Sequence, residues 1–417
     1  MLKKYFLLNL ILISSIGFSQ NTKGEVQFQT SFTNQTKAIK KISDHLKDHV
    51  IIGLGEGTHG TKEFNEIRSE ISKQLISKND FRIVAFESSY GDAVFLNEAV
   101  NSDVDLKEAL KKYMTSIWQT KEINTLLEWI RAYNKNHKDK VIISGFDTDA
   151  LMRSAEILKE TDDFGKDYSE MTGEIQKKAM LQDEMWEKQN DPSFRLNMKE
   201  VIKNGTEGYV LTKKVDSLYG KKMDLSSKLA LQHLELGFKI PYEASKKNYD
   251  VSRDFIMAEM IKNVQSGYDK KMILFAHDGH VALKPILVDG MGGYLKEKYG
   301  NKYYALATAT ILGTYSATAD PRAVKNNKYI SYPLPKQLEN SWEEKLGSKK
   351  SENYFVDFRS SNEEIYGKAF KMRLLGYSPV TPATEKFTIT EPLKLNECFD
   401  GIIFIKHTNA AEHLSTD

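Results

Sequence analysis

A chain of 417 residues is long enough for two domains or for one large core with an insertion. Its 40% hydrophobic and 11% aromatic content, with 9 Pro and 25 Gly, excludes a disordered or fibrous chain. The 59 Lys+Arg against 57 Asp+Glu leave no basic footprint for nucleic acid, and the lone Cys398 excludes an internal disulfide framework or a cysteine-based zinc site.

Residues 1–20 read as a secretory signal: Lys3 and Lys4 form a basic start, Tyr5 to Ile16 is a short apolar run, and Gly17-Phe18-Ser19-Gln20 precedes a polar stretch. The run is shorter than the roughly 20 residues a membrane-spanning helix needs. No cysteine follows it to carry a lipid. The expectation is export to the periplasm or medium, cleavage near Gln20 or Asn21, and no membrane association afterwards.

Residues 21–48 supply a leading segment and one helix. Val50 to Leu54 is a short β-branched apolar run that ends in Gly55-Glu56-Gly57-Thr58-His59-Gly60, so strand into glycine-rich turn is expected. Phe64, Ile67, Ile71 and Leu75 then recur at helical spacing and predict a helix over 62–77. The alternation repeats with a strand over 82–86, stopped by Glu87-Ser88-Ser89, and helices over 92–100 and 122–137. A third strand over 141–145 runs into Phe146-Asp147. Between Leu151 and Gln265 the sequence reads as helices near 167–190, 194–204, 209–219, 224–237 and 251–265. A fourth strand over 271–276 enters His277-Asp278-Gly279-His280, a fifth covers 303–310, residues 316–362 read mostly as loop, and a last strand covers 399–405.

Continuous apolar strands separated by helices specify an α/β fold, a mostly parallel central sheet flanked by helices. The domain reading is a signal peptide over 1–20, an α/β core over 21–150 and 266–417, and a helical insertion or lid over 151–265 that covers the C-terminal edge of the strands.

Ligands of open parallel sheets collect at that edge. Four consecutive strand ends bring Glu56 and His59, Glu87, Asp147, and His277, Asp278 and His280 to it, three of the nine histidines in the chain. Gly55 and Gly57 resemble a phosphate turn but lack the Walker spacing and its lysine. Asp147 also suits a helix N-cap. No Gly-x-Ser-x-Gly elbow occurs, and Cys398 is expected in the core. Water activated by a histidine, or by a divalent metal held by His277, His280 and Glu56 or Glu87, is therefore the expected chemistry.

Five ordered motifs resemble the erythromycin esterase family: Gly55-Glu56-Gly57-Thr58-His59-Gly60 with Glu63-Phe64 and Arg68; Val84-Ala85-Phe86-Glu87; Gly145-Phe146-Asp147; Arg253-Asp254 with Met257-Ala258; and Ala276-His277-Asp278-Gly279-His280-Val281. The resemblance implies a hydrolase that opens a macrolide lactone or a related ester with activated water. Its general base matches His59, its acidic and histidine partners Glu56, Glu87, His277 and His280, and its arginine Arg68. Asp147 and Arg253 are expected to bind substrate. The expected reaction has His59 taking a proton from water, Glu56 or Glu87 orienting it, and His277 or His280 with Arg68 stabilising the oxyanion. Metal dependence stays open, and the oligomeric state is not read from the sequence. Asp278 departs from the family pattern, where a neutral residue is expected. The alternative is an exported metal- or haem-binding protein on the same fold that catalyses nothing.

Overall fold

The computed structural model describes residues 25–27, 36–161, 164–188, 193–320 and 327–414, so the segment expected to be a signal peptide, 1–20, lies outside the described residues. Strands β1 (Glu25–Gln27), β2 (Ile51–Glu56), β3 (Phe81–Ser89), β4 (Ile142–Asp147), β5 (Lys271–His277), β6 (Tyr303–Thr318), β7 (Tyr329–Pro333) and β8 (Asn353–Asp357) build one sheet. A two-residue ribbon of β9 (Ala369–Phe370) and β10 (Leu393–Lys394) stands apart, and β11 (Gly401–Thr408) completes the sheet in the order β1-β8-β11-β6-β2-β5-β3-β4. From β11 to β4 every pairing is parallel. The antiparallel pairings, β7 with β6, β8 with β11 and β1 with β8, lie at the margin.

Alternate side chains of each strand enter opposite layers, as a period of two requires. Ile52, Leu54, Ile273 and Phe275 join one apolar layer with helices α1 (Thr36–Leu46), α2 (Lys62–Asn79), α3 (Tyr90–Val100), α4 (Leu106–Tyr113) and α5 (Lys121–Asn136). Ile51, Met272, Leu274 and Ala276 join the other with α6 (Met152–Thr161), α7 (Lys166–Lys188), α8 (Met198–Tyr219), α9 (Leu225–Ser245), α10 (Arg253–Tyr268), α11 (Asp278–Val281) and α12 (Met291–Tyr299). The insertion thus shares a continuous apolar core with one face of the sheet. Its last helix, α10, lies against β4 and α12, and α6 and α9 lie against α3.

The strand and helix alternation matches the sequence reading in its order, with several departures. The helices expected over 194–204 and 209–219 are one, α8, because Gly205 and Gly208 do not end it. They let α9 approach so closely that an added Cβ would meet Pro241 at 2.1 Å and the Phe238 ring at 2.8 Å. Helices α4, α6, α11 and α12 were not expected. The stretch 316–362 is not mostly loop: it contains the end of β6, then β7 and β8, and β8 is buried along its whole length because β1 covers the side that β11 leaves open. Among the described residues no helix is long and apolar enough to cross a membrane.

The turn after β2 is shaped by what lies behind it. A Cβ on Gly55 would fall 2.0 Å from Asp278 Oδ1, so the approach of a carboxylate requires glycine there. Asp278 neither faces solvent nor points toward a cation site: it is fully buried and accepts the Thr308 backbone N–H at 3.1 and 3.3 Å, tying the end of β5 to β6. Burial pushes its carboxyl well above the usual range, opposed by Thr308 and Arg68. An acid whose folded pKa is raised costs stability above its unfolded pKa. Asp278→Asn should therefore fold, and its melting temperature relative to the parent should rise as pH increases from 4 to 8. A difference that stays flat over that range, or falls, contradicts the buried assignment.

Candidate active site

β2 and β5 lie side by side, with Glu56 and His277 as register partners at their C-terminal ends. The chain leaves β2 through α2 on one face and leaves β5 through α11 and α12 on the other, which makes the gap between them a topological switch point. β3 reaches this edge with an extra residue: Phe86 pairs with Gly145 and Ser89 with Asp147, a bulge that carries Glu87.

His59 sits in the turn beyond β2, 8% exposed. Its Nδ1 meets Glu56 Oε1 at 2.5 Å. A ring whose Nδ1–H is held by a carboxylate presents Nε2 as its basic nitrogen. The other oxygen of Glu56 accepts from Arg68, which also donates to Asn65 Oδ1 at 2.6 Å and to the Leu54 and Phe64 carbonyls at 3.2 Å. Arg68 is completely buried, packed 5.0 Å from the Phe275 ring and 5.4 Å from Trp118. Its expected role as an oxyanion donor does not fit this position, since a residue with no exposed surface cannot touch a substrate. It acts on Glu56. Glu56, and not Glu87, is the carboxylate that contacts His59.

A second histidine pair stands opposite. His280 Nδ1 lies 2.7 Å from Asp254 Oδ1, which also accepts the Met291 N–H at 2.9 Å. Its Nε2 is 3.4 Å from Glu87 Oε1 and 3.3 Å from an Arg253 terminal nitrogen. Burial works against charge on His280, but Glu87 and Asp254 outweigh it and raise its pKa to about 9. Burial likewise opposes ionisation of Glu87, yet His280 and Arg253 hold it well below the usual carboxylate range. Arg253 donates from Nε to Asp147 Oδ1 at 3.0 Å, from a terminal nitrogen to Asp147 Oδ2, and to Glu87 Oε1 at 3.0 Å. Its side chain is 36% exposed, the most open of the charged groups here. Asp147 is fully buried beneath it and binds Arg253, with its own carbonyl accepting from His233 of α9 at 2.7 Å.

His277 lies between the pairs, with ring centroids 4.8 Å from His59 and 6.5 Å from His280. Its Nδ1 accepts the Gly279 N–H at 3.3 Å, which leaves the proton on Nε2. Nε2 is buried without a hydrogen bond of regular geometry, although the Leu375 carbonyl is near enough to favour protonation. Burial first, then His59 and His280, push its pKa well below the ordinary value, so the ring is neutral. All six expected catalytic side chains thus gather at one edge, but among the described residues no group of three or more His, Cys, Asp and Glu is arranged to hold a metal ion.

Three contributors were absent from the sequence reading. Asp254 adjoins Arg253 in a quoted motif, and a histidine with no carboxylate of its own was the available signal. Trp118 donates to the Glu87 carbonyl at 3.1 Å. The segment after β11 braces the His59 turn: Ala411 N–H donates to the Gly60 carbonyl at 2.8 Å, Lys62 N–H to Asn409 O at 3.0 Å, and Asn409 gives Glu63 two bonds of 2.8 and 2.7 Å. Gly60 itself has φ +82°, and its carbonyl also accepts Ser316 N–H at 2.9 Å.

Fold and site together define an α/β protein with two histidine–carboxylate pairs across the switch point of a parallel sheet. The sequence profile described as Erythromycin esterase matches residues 76–408, and the chain belongs to the erythromycin esterase family. The matched span begins after the His59 turn, which longer alignments bracket. Erythromycin esterase type II of Escherichia coli is 22% identical over 90% of this chain and 93% of its own length. The putative hydrolase YbfO of Bacillus subtilis (strain 168) is 22% identical over 89% and 86%. Among solved structures, a succinoglycan biosynthesis protein superposes with a TM-score of 0.75 at 18% identity, covering 94% of this chain and 96% of that one. A mutant of the erythromycin esterase EreC in its open conformation gives 0.68 at 17%, covering 92% and 98%. At these identities the structures share the fold.

A histidine whose folded pKa is about 9 against an ordinary 6.5 contributes stability that is fully present below pH 6.5 and lost as pH rises through 9. Asp254→Asn should shift the His280 titration, followed by imidazole NMR, down by at least one unit and flatten the stability decline over that window. An unmoved titration would show that Asp254 does not set the charge of His280.

Proposed function

We propose that this protein is an exported hydrolase that opens a lactone or cleaves a related carboxylic ester by adding water, a macrolide being one member of that substrate class. The observation that carries the reading is the 2.5 Å His59–Glu56 contact, backed by buried Arg68, which leaves His59 Nε2 as a base of fixed direction. His59 removes a proton from water as the water oxygen attacks the ester carbonyl carbon. The resulting oxyanion is met by Arg253, the most exposed cation of the edge. The carbon–oxygen bond to the alcohol then breaks, and the proton on His59 passes to the departing alkoxide. Cationic His280 keeps Glu87 ionised, and Glu87 and Asp147 together hold Arg253 in place. Family membership and the names of the relatives support the ester class, while export rests on the composition of residues 1–20.

Incubation with a panel of macrolides and simple lactones, with and without chelator, should give a product heavier by one water. His59→Ala should lower turnover by about 10² to 10⁴-fold, the range of general-base catalysis, with little change in substrate affinity. Hydrolysis by His59→Ala near the parent rate would overturn the reading. N-terminal sequencing of protein from the native host should begin near Gln20 or Asn21, and an intact Met1 would overturn export.

A further inference from the structure

Among the described residues β4 is the last strand of the sheet, so no further strand supplies hydrogen bonds along its open side. Side chains do so instead. Asn97 Oδ1 accepts the Ile143 N–H at 2.9 Å, and at the tip of the strand the Asp147 carbonyl accepts from His233 Nε2 at 2.7 Å. On the inner side the ladder to β3 is irregular just here, because the bulge between Phe86 and Ser89 ends at the residue paired with Asp147. The outer bond from His233 is therefore a main support of this strand tip.

His233 belongs to α9 of the insertion and has no exposed surface. Burial pushes its pKa down to about 4, so the ring is neutral at ordinary pH. A carbonyl can only accept, which puts the single ring hydrogen on Nε2, and Nδ1 then accepts from the Ser154 hydroxyl of α6 at 2.9 Å. The donors run in one direction, from Ser154 to His233 to Asp147.

The insertion thus grips Asp147 twice. Its carboxylate receives Arg253 of α10 through Nε at 3.0 Å and through a terminal nitrogen, while its main chain receives His233 of α9. A two-bond pair between guanidinium and carboxylate keeps its strength only while both groups hold their directions, so a carboxylate that swings with its own backbone takes the arginine with it. We infer that His233 is a positioning residue of the reactive edge: by holding the Asp147 carbonyl it fixes the direction of the Arg253 guanidinium, and so links the packing of α6 and α9 to the group that meets the oxyanion. The oxyanion contact rests on the hydrolase reading, and the hold on Arg253 does not.

The test uses the full chain with isotope-labelled arginine and histidine, followed by NMR. In the parent, the ring nitrogens of His233 should report the Nε2–H tautomer from pH 5 to 9, and a ring protonated at Nδ1 alone overturns the inference without any variant. The Arg253 Nε–H signal, assigned by its loss in Arg253→Lys, should exchange with water at least tenfold faster in His233→Phe, which fills the space of the ring and lacks a donor. His233→Leu, with less bulk, takes its place if the phenylalanine variant does not fold. In His233→Gln, whose amide nitrogen restores the donor, the exchange should return to within threefold of the parent. The His59 ring signals should stay in place throughout, which a general loosening of the edge would not allow. An unchanged Arg253 signal in a folded donor-free variant, or both sites shifting together, overturns the positioning role. With a lactone that the parent hydrolyses, His233→Phe should lower kcat at least tenfold with KM within twofold, yet cost less than twofold when added to Arg253→Ala, because it acts through that residue. Losses that simply multiply take Arg253 out of the path and overturn the link to the oxyanion. A parent that hydrolyses no ester, with the Arg253 signal behaving as stated, sinks the hydrolase reading and leaves the hold on Arg253 standing.

Discussion

The ion pair between Glu56 and Arg68 is the constraint on which the reactive edge depends. Glu56 is 1% exposed, and a carboxylate so placed must be matched by a cation or give up its charge. Arg68 supplies that match from the helix that starts just after the turn, and a lysine would not, because only a planar fork reaches Glu56, Asn65 and the Leu54 carbonyl together. Taking away one partner of a buried pair typically costs about 3–5 kcal/mol. The direction of His59 is therefore tied to the stability of the turn that carries it.

The opposite network distributes charge differently. Around Arg253 and His280 stand Glu87, Asp147 and Asp254, and with Glu56 and Arg68, and with buried Asp278 neutral, the edge holds four carboxylates against three cations. One further proton brings the edge to neutrality. In the reaction proposed above, the proton that His59 takes from water is such a charge, and the buried edge receives it without a net excess. Neutral His277 stands between the two pairs and keeps the two imidazoles that carry or receive protons from facing each other directly.

The parallel core was legible because its strands are apolar along their whole length and end in glycine and carboxylate, a pattern that few other folds produce. The same logic carried Glu56, His59, Glu87, His277 and His280 to one edge, since strand ends are positions that sequence can locate. Direction was another matter. Nothing in the spacing of Arg68 distinguishes a side chain aimed at a substrate from one sealed behind Glu56, and Asp278 looks as polar in sequence as it is buried in fact. The antiparallel margin escaped notice because β7 is half exposed and β8 is only five residues long, so neither shows the long apolar run that marked the others. Asn409 and Ala411 lie some 350 residues from the turn they support, a pairing that local pattern cannot express.

That last contact has a consequence for how the molecule comes into being. The nascent chain has β2, its turn and Arg68 available from the first sixth of its length, and the helical layer can condense long before the end emerges. The His59 turn, however, is held by residues 409–411, and His413 meets Ser316, which holds the same Gly60 carbonyl. Contacts of such sequence separation form late, because the intervening chain must be ordered before they close. Until those contacts close, the chain carries all of the acidic and histidine residues of the edge without the brace that fixes the His59 turn.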